Sequence, residues 1–579
     1  MLKTLSSRVR EYRRDSLLTP ICMMLEVFME VLIPFLMVDI IDKGIDLGDM
    51  NSVLRYGGIL LLCAFLALLF GVLSGKFAAT ASAGFAKNLR HDLFHTIQDF
   101  SFSNIDKFSA TSLITRLTTD ITNLQNAYQM IIRVLVRSPA MFFFSLFAAF
   151  QLNNRLSLIF IGVAPILVAG FYIILRHVYP LFERVFKTYD RLNLVVQESL
   201  RGVRVVKAYV RDAHETEKFE SVSEEIYKDF VTAERLMAFI SPLMQFCMYS
   251  CLLLLSWFGA RFIVSETLTT GQLMSLITYA MQILMSLMLA SMVLVMVSIS
   301  RASARRVAEV LEETSDIVNK ENTINEVKDG SITFEDMGFG YQGETATRCL
   351  NGINLHIDAG KTVGIIGATG SAKTSLVQLI PRLYDATHGR VLVGGVDVRD
   401  YDLHTLRNAV AMVLQKNTLF SGTIRENLRW GNPKASDAEI EKACALAQAK
   451  EFIESFPDGY DTVIEQGATN ISGGQKQRLC IARALLKKPQ ILILDDSTSA
   501  VDTKTDMLLQ KAFIDELPNV TKLIIAQRIS SVSAADMIIV LDSSRIDAVG
   551  THDTLLASNK IYREVYHSQQ KGGASDDAE

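Results

Sequence analysis

The chain lacks most of the features that would assign it to several large protein classes. Its seven cysteines (Cys22, Cys63, Cys247, Cys251, Cys349, Cys444 and Cys480) are odd in number and form no Cys-x-x-Cys pair. That argues against a disulfide framework or a zinc site and reads as free thiols in membrane and cytosol. An excess of one charge is missing too. The 58 Lys+Arg nearly balance the 62 Asp+Glu, leaving a net charge of −4 and no basic field for a nucleic acid. No internal repeat is visible. The N-terminus, residues 1–15, carries Lys3, Arg8, Arg10, Arg13 and Arg14, but it has no short apolar core or cleavage site of a secretory signal. Glu11 and Asp15 also disfavour a transit peptide. A cytoplasmic amphipathic helix at a membrane surface is expected there.

What the chain has in abundance is apolar sequence: 49% of its 579 residues, with 21% charged. Segregation explains that pairing, a very apolar part joined to an ordinary soluble one. Six stretches are long enough to span a bilayer, near Leu17–Ile41, Gly57–Phe77, Ile131–Leu152, Leu156–Leu175, Phe239–Phe262 and Leu273–Ile299. The third and fourth are separated by Asn153, Asn154 and Arg155. Two polar stretches of helical character, Thr80–Met130 and His177–Met237, carry many basic residues while the short loops hold few, namely Lys43, Arg55 and Arg155, which places the long stretches and both termini in the cytoplasm. After Arg301 comes a charged helical linker to about Lys328, and then short β-type runs alternate with helices, as in an α/β nucleotide-binding domain.

Within that second half, Gly367-Ala368-Thr369-Gly370-Ser371-Ala372-Lys373-Thr374 joins an apolar strand to an apolar helix. It is nearly a P-loop, whose backbone N–H groups cradle phosphates, with Lys373 reaching the phosphates and Thr374 holding Mg²⁺. Ser375 completes the loop. Ala372 departs from the glycine expected before the lysine, and its Cβ predicts crowding or strain. Ile491–Asp495 is an apolar strand ending on a carboxylate placed for the Mg²⁺ shell. Ile471-Ser472-Gly473-Gly474-Gln475 opens another helix.

With these motifs in order, the chain resembles the ATP-binding-cassette (ABC) family over essentially its whole length, with Ser472, Gly473, Gly474 and Gln475 as the signature. The resemblance implies ATP and Mg²⁺ as cofactors. It implies Tyr341 as the aromatic that stacks on adenine, Gln415 as the Q-loop residue near Mg²⁺ and Ser499–Asp502 as the D-loop. Phe108–Ile121 resembles the first coupling-helix region of type I exporters. Two further departures fall in catalytic positions. Asp496 stands where the family has a glutamate that orients the attacking water, and Gln527 stands where it has the switch histidine. Such a split resembles the degenerate subunit of heterodimeric exporters, whose signature completes the partner's competent site; the alternative is drift in a homodimer.

The expected fold is a six-helix membrane domain followed by an α/β P-loop cassette. The expected division is 1–15 elbow, 16–300 membrane domain, 301–328 linker, 329–571 cassette and 572–579 disordered tail. The expected function is ATP-driven export of amphipathic small molecules across a bacterial inner membrane, with a second half-transporter as partner and no nucleic acid. Lipid or peptide export, or import by an exporter-like siderophore carrier, are alternatives, and the absence of an N-terminal peptidase domain argues against leader-cleaving peptide export. A soluble cassette ATPase is disfavoured by the six spans. Glu26 and Glu30, four apart in the first span, suit either contact with cationic substrate or protons, or helix packing. Met274, Met281, Met285, Met288, Met292 and Met296 suit either a pliable ligand wall or packing.

Overall fold

The computed structural model describes residues 1–341, 348–497 and 501–573. They divide into two compact units: residues 1–98 with 110–313, and residues 99–109 with 314–579.

The first unit is all helical and contains six helices long and apolar enough to cross a membrane. The continuous helices outrun the apolar runs, at Arg13–Asp39, Met50–Gln98, Ile121–Leu152, Asn154–Arg201, Ile240–Val264 and Thr270–Glu312. The third and fourth are joined through Asn153 alone, whose side-chain oxygen accepts from the amides of Arg155 and Leu156 and so caps the fourth helix. The sixth is opened by a Thr269–Gln272 capping box. Pro20 and Pro34 lie inside the first helix. Near Pro34 the sixth helix donates hydroxyls to it, Tyr279 to the Val31 carbonyl at 2.7 Å and Ser275 to the Pro34 carbonyl at 2.6 Å. Polar groups buried among apolar helices are thereby satisfied.

The N-terminal segment is not one continuous helix. A helical turn, Leu2–Ser6, passes into a tighter turn, Ser7–Tyr12, broken at Arg10 with φ 42°. Two of its basic residues are docked: Arg8 and Arg10 reach Asp92 of the second helix at 2.7 and 2.9 Å.

The second unit is built on a six-stranded sheet in the order Arg545–Gly550, Met537–Asp542, Thr362–Gly367, Thr521–Ile525, Ile491–Asp495, Val410–Val413. All neighbours pair in parallel except the Arg545–Gly550 edge. A parallel sheet covered on both faces demands unbroken apolar strands, which is why Ile491–Leu494 reads as a plain apolar run. Because the strands run the same way, their carboxyl ends place Gly367, Asp495 and Ile525 at one edge. A four-stranded antiparallel sheet, containing Ile332–Phe339, stands beside it. Residues after Arg301 are helical only to Glu312, and from there to the Ile332 strand the chain is irregular, with Ile324 bridged to Tyr401. The C-terminal helix, Lys560–Gly573, is anchored by the fully buried Tyr562, which bonds His552 at 2.8 Å.

Candidate nucleotide site

The loop after the Thr362–Gly367 strand turns through Gly370 at φ 86° and Ala372 at φ 65° before the Lys373–Gln378 helix begins. Ala372 therefore occupies the left-handed region that glycine enters freely, and its Cβ makes that conformation costly. The strain expected from the sequence is present in the backbone. Gly367 is required by space, since a Cβ there would lie 2.3 Å from the Leu541 carbonyl oxygen. Ser371 and Ser375 are buried, whereas Thr369 is exposed at the tip. The Lys373 ammonium folds back over the loop, donating to the Gly367 and Ala368 carbonyls at 2.8 and 2.9 Å. Burial pulls its pKa down, opposed by the charges of Asp496 and Asp495. A bound polyanion would favour the charged ammonium and so offset the effect of burial.

Thr374 Oγ1 donates to Asp495 Oδ1 at 3.0 Å, while Asp495 Oδ2 is buried without a hydrogen-bond partner. Burial pushes the Asp495 carboxyl above its ordinary value, opposed by the Thr374 bond and reinforced by Asp496. An orphaned, desolvated carboxylate oxygen beside a threonine hydroxyl suits a hard divalent cation that takes oxygen ligands. Among the described residues no cluster of three or more His, Cys, Asp or Glu could hold a metal unaided. Further oxygen ligands for such an ion would have to come from water or a bound anion.

Asp496 follows immediately. Its Oδ2 accepts from Gln527 Nε2 at 2.7 Å and lies 3.5 Å from Gln415 Nε2. The two departures noted in the sequence thus face each other across one hydrogen bond. Tyr341 is half exposed, its hydroxyl 2.7 Å from Ser375 Oγ, with its ring edge-on to Tyr384 at 5.3 Å between centroids. Tyr384 in turn donates to Asp106 at 2.7 Å and meets Phe102 edge-on. These two belong to a short helix, Phe102–Phe108, closed by a Ser101 capping box and held by Ser101 and Ser103 on Asp316. The residues that dock on the cassette thus precede the Phe108–Ile121 stretch. Within that stretch, Arg116 turns to the sixth membrane helix, where it pairs with Glu309 at 3.1 Å.

Ser472 caps the Gly473–Leu486 helix through a reciprocal bond with Gln475 and stands exposed. Among the described residues, none of Ser472–Gln475 is hydrogen-bonded to the P-loop. Of the D-loop, Ser499 and Ala500 lie outside the described residues. Asp502 caps the following helix through the Thr505 amide.

In the membrane unit, Glu26 and Glu30 both engage Arg137 of the third helix. Arg137 bonds Glu26 Oε1 at 2.6 Å and both Glu30 oxygens at 2.8 Å. Arg137 lies inside the third apolar run, where any charge is a signal in itself. Five of the methionines, Met274, Met281, Met285, Met288 and Met292, are exposed along one face of the sixth helix, whose other face buries Leu276, Tyr279 and Ile283.

Comparison with known proteins agrees with this architecture. A family model for the ABC transporter transmembrane region matches residues 16–287, and one for the ABC transporter matches residues 350–499. The uncharacterized ABC transporter ATP-binding protein YfiB of Bacillus subtilis is 37% identical over 549 residues, 95% of each chain. An uncharacterized ABC transporter ATP-binding protein of Mycobacterium tuberculosis is 33% identical over 98% of each chain. The ATP-dependent lipid A-core flippase of Syntrophus aciditrophicus is 32% identical over 84% of this chain and 80% of its own. Among solved structures, a bacterial Atm1-family ABC exporter with ATP bound superposes with a TM-score of 0.82 at 23% identity, covering 96% of this chain and 99% of that one.

Proposed function

From the premise that the chain belongs to the ABC transporter family, multi-pass membrane proteins that couple ATP hydrolysis to transport, we propose that it is one subunit of a heterodimeric exporter. Both termini would be cytoplasmic, and its cargo would be amphipathic small molecules. Residues 16–300 form the membrane domain in this reading and 329–571 the cassette.

The observation that carries the reading is the Gln527–Asp496 bond of 2.7 Å. A carboxylate that already accepts from a neighbouring amide, one methylene shorter than glutamate, is poorly placed to orient a water at the γ-phosphate. Tyr341 stacks on adenine, and the P-loop amides with Lys373 hold the phosphates. Thr374, Gln415 and Asp495 would hold Mg²⁺, which would neutralise phosphate charge. This site binds ATP but turns it over slowly. Ser472–Gln475, exposed at a helix N-terminus, complete the partner's site, where hydrolysis occurs. The exposed methionines on the sixth helix supply a polarizable wall for varied apolar cargo.

The test is ATPase activity of the purified chain alone and with a half-transporter that carries the glutamate and histidine. Alone it should lie about 10²–10⁴-fold below the complex, the range attributed to a positioned acid–base group. Activity of the isolated chain equal to that of the complex would refute the heterodimer.

A further inference from the structure

We propose that Gln569, on the C-terminal helix, is a positioning residue for the nucleotide site: it clamps the loop that carries Gln527 and so governs how long ATP stays bound. Its side-chain amide Nε2 donates to the Gln527 carbonyl oxygen at 2.7 Å, and its Oε1 accepts from the Ile529 amide at 2.9 Å. One amide thus uses its donor and its acceptor on the two ends of a three-residue segment, fixing the segment's place and tilt. The segment's middle residue, Arg528, is extended and leads directly into the short Ile529–Ser531 turn. With the backbone held, Gln527 presents its own amide to Asp496 Oδ2 at 2.7 Å. A helix more than forty positions downstream therefore reaches the pair of residues that face the γ-phosphate in the proposed reading.

The helix does not need Gln569 to stay in place. Tyr562, fully buried, and its bond to His552 anchor it, with Val565 and Tyr566 packed on the same core. Loss of the clamp should therefore loosen the Gln527 loop without releasing the helix. A loop that must be ordered by the ligand costs affinity that a pre-ordered one does not.

The inference rests on the reading that this site retains ATP. The experiment uses the purified complex, photolabelled on this chain with radioactive azido-ATP and chased with unlabelled ATP. Gln569→Ala should speed release about twentyfold, the loss of two hydrogen bonds at roughly fivefold each. Gln569→Glu, which keeps the acceptor for Ile529 but sets a carboxylate oxygen against the Gln527 carbonyl in place of the donor, should also speed release. In a Gln527→Ala background, Gln569→Ala should have no further effect, and melting of the complex should be unchanged. Release at the wild-type rate in Gln569→Ala, or equal acceleration with and without Gln527, would overturn the clamp. Wild-type release as fast as turnover would instead refute retention at this site, and the ratio between variants would still judge the clamp.

Discussion

Gln527 Nε2 donates to Asp496 Oδ2 at 2.7 Å, so the two residues that in the proposed reading stand in place of the family's histidine and glutamate engage each other. Neither change is then independent. A glutamate at 496 would extend one methylene further, and a histidine at 527 would present a ring nitrogen in place of an amide.

Reversal of the pair should reawaken the site. In a complex whose other site is silenced through Ser472→Ala, Asp496→Glu with Gln527→His should raise residual ATPase at least about tenfold, part of the contribution of a positioned base. Either change alone should give less, because the pair is coupled. Adding Ala372→Gly should help further by relieving the left-handed backbone at φ 65°. A double reversion with no gain in steady-state turnover would mean that the defect lies elsewhere.

Adenine binding should depend on the Tyr341 ring more than on its hydroxyl. Tyr341→Ala should weaken ATP about tenfold, as loss of one stacking platform does. Tyr341→Phe keeps the ring while losing only the contact to Ser375. Nucleotide titration of the purified complex measures both, and equal affinity in wild type and Tyr341→Ala would remove Tyr341 from the site.

The membrane carboxylates make a different prediction. Arg137 bonds both Glu26 and Glu30, tying the first membrane helix to the third, which supports a packing role for the carboxylates. Removing one member of a buried ion cluster costs more than replacing all of it. Arg137→Met should therefore lower the melting temperature in detergent more than the combined Glu26→Gln, Glu30→Gln and Arg137→Met variant. If instead Glu26→Gln with Glu30→Gln left melting unchanged and shifted transport away from cations, the carboxylates would be ligands.

The legibility of the chain divides along physical lines. The spans and the parallel strands were readable because burial on all sides demands long apolar runs, as in Ile491–Leu494. The strand-to-helix turn at Gly367–Thr374, the strand ending on Asp495 and the helix opened by Ser472 were readable because phosphate chemistry fixes both residue type and spacing. The Arg137 pairing was missed although an arginine within an apolar span signals a partner. Tyr384, Asp106 and Gln569 carried no local signal, since their contacts cross tens to hundreds of positions and depend on where the tertiary fold brings ordinary polar residues. The break at Arg10 was equally invisible, because docking on Asp92 overrides local helix propensity.

The division of labour between the two sites is tested most directly by steady-state ATPase of two variants in the purified complex. Asp496→Asn alters a carboxylate already engaged by Gln527, so activity should stay within about twofold of wild type. Ser472→Ala removes the cap of the Gly473–Leu486 helix, worth about 1 kcal/mol to the helix itself, and in the proposed assembly it faces the partner's γ-phosphate. Activity there should fall by most of its value. Severe loss in Asp496→Asn together with mild loss in Ser472→Ala would contradict the account and favour a symmetric homodimer.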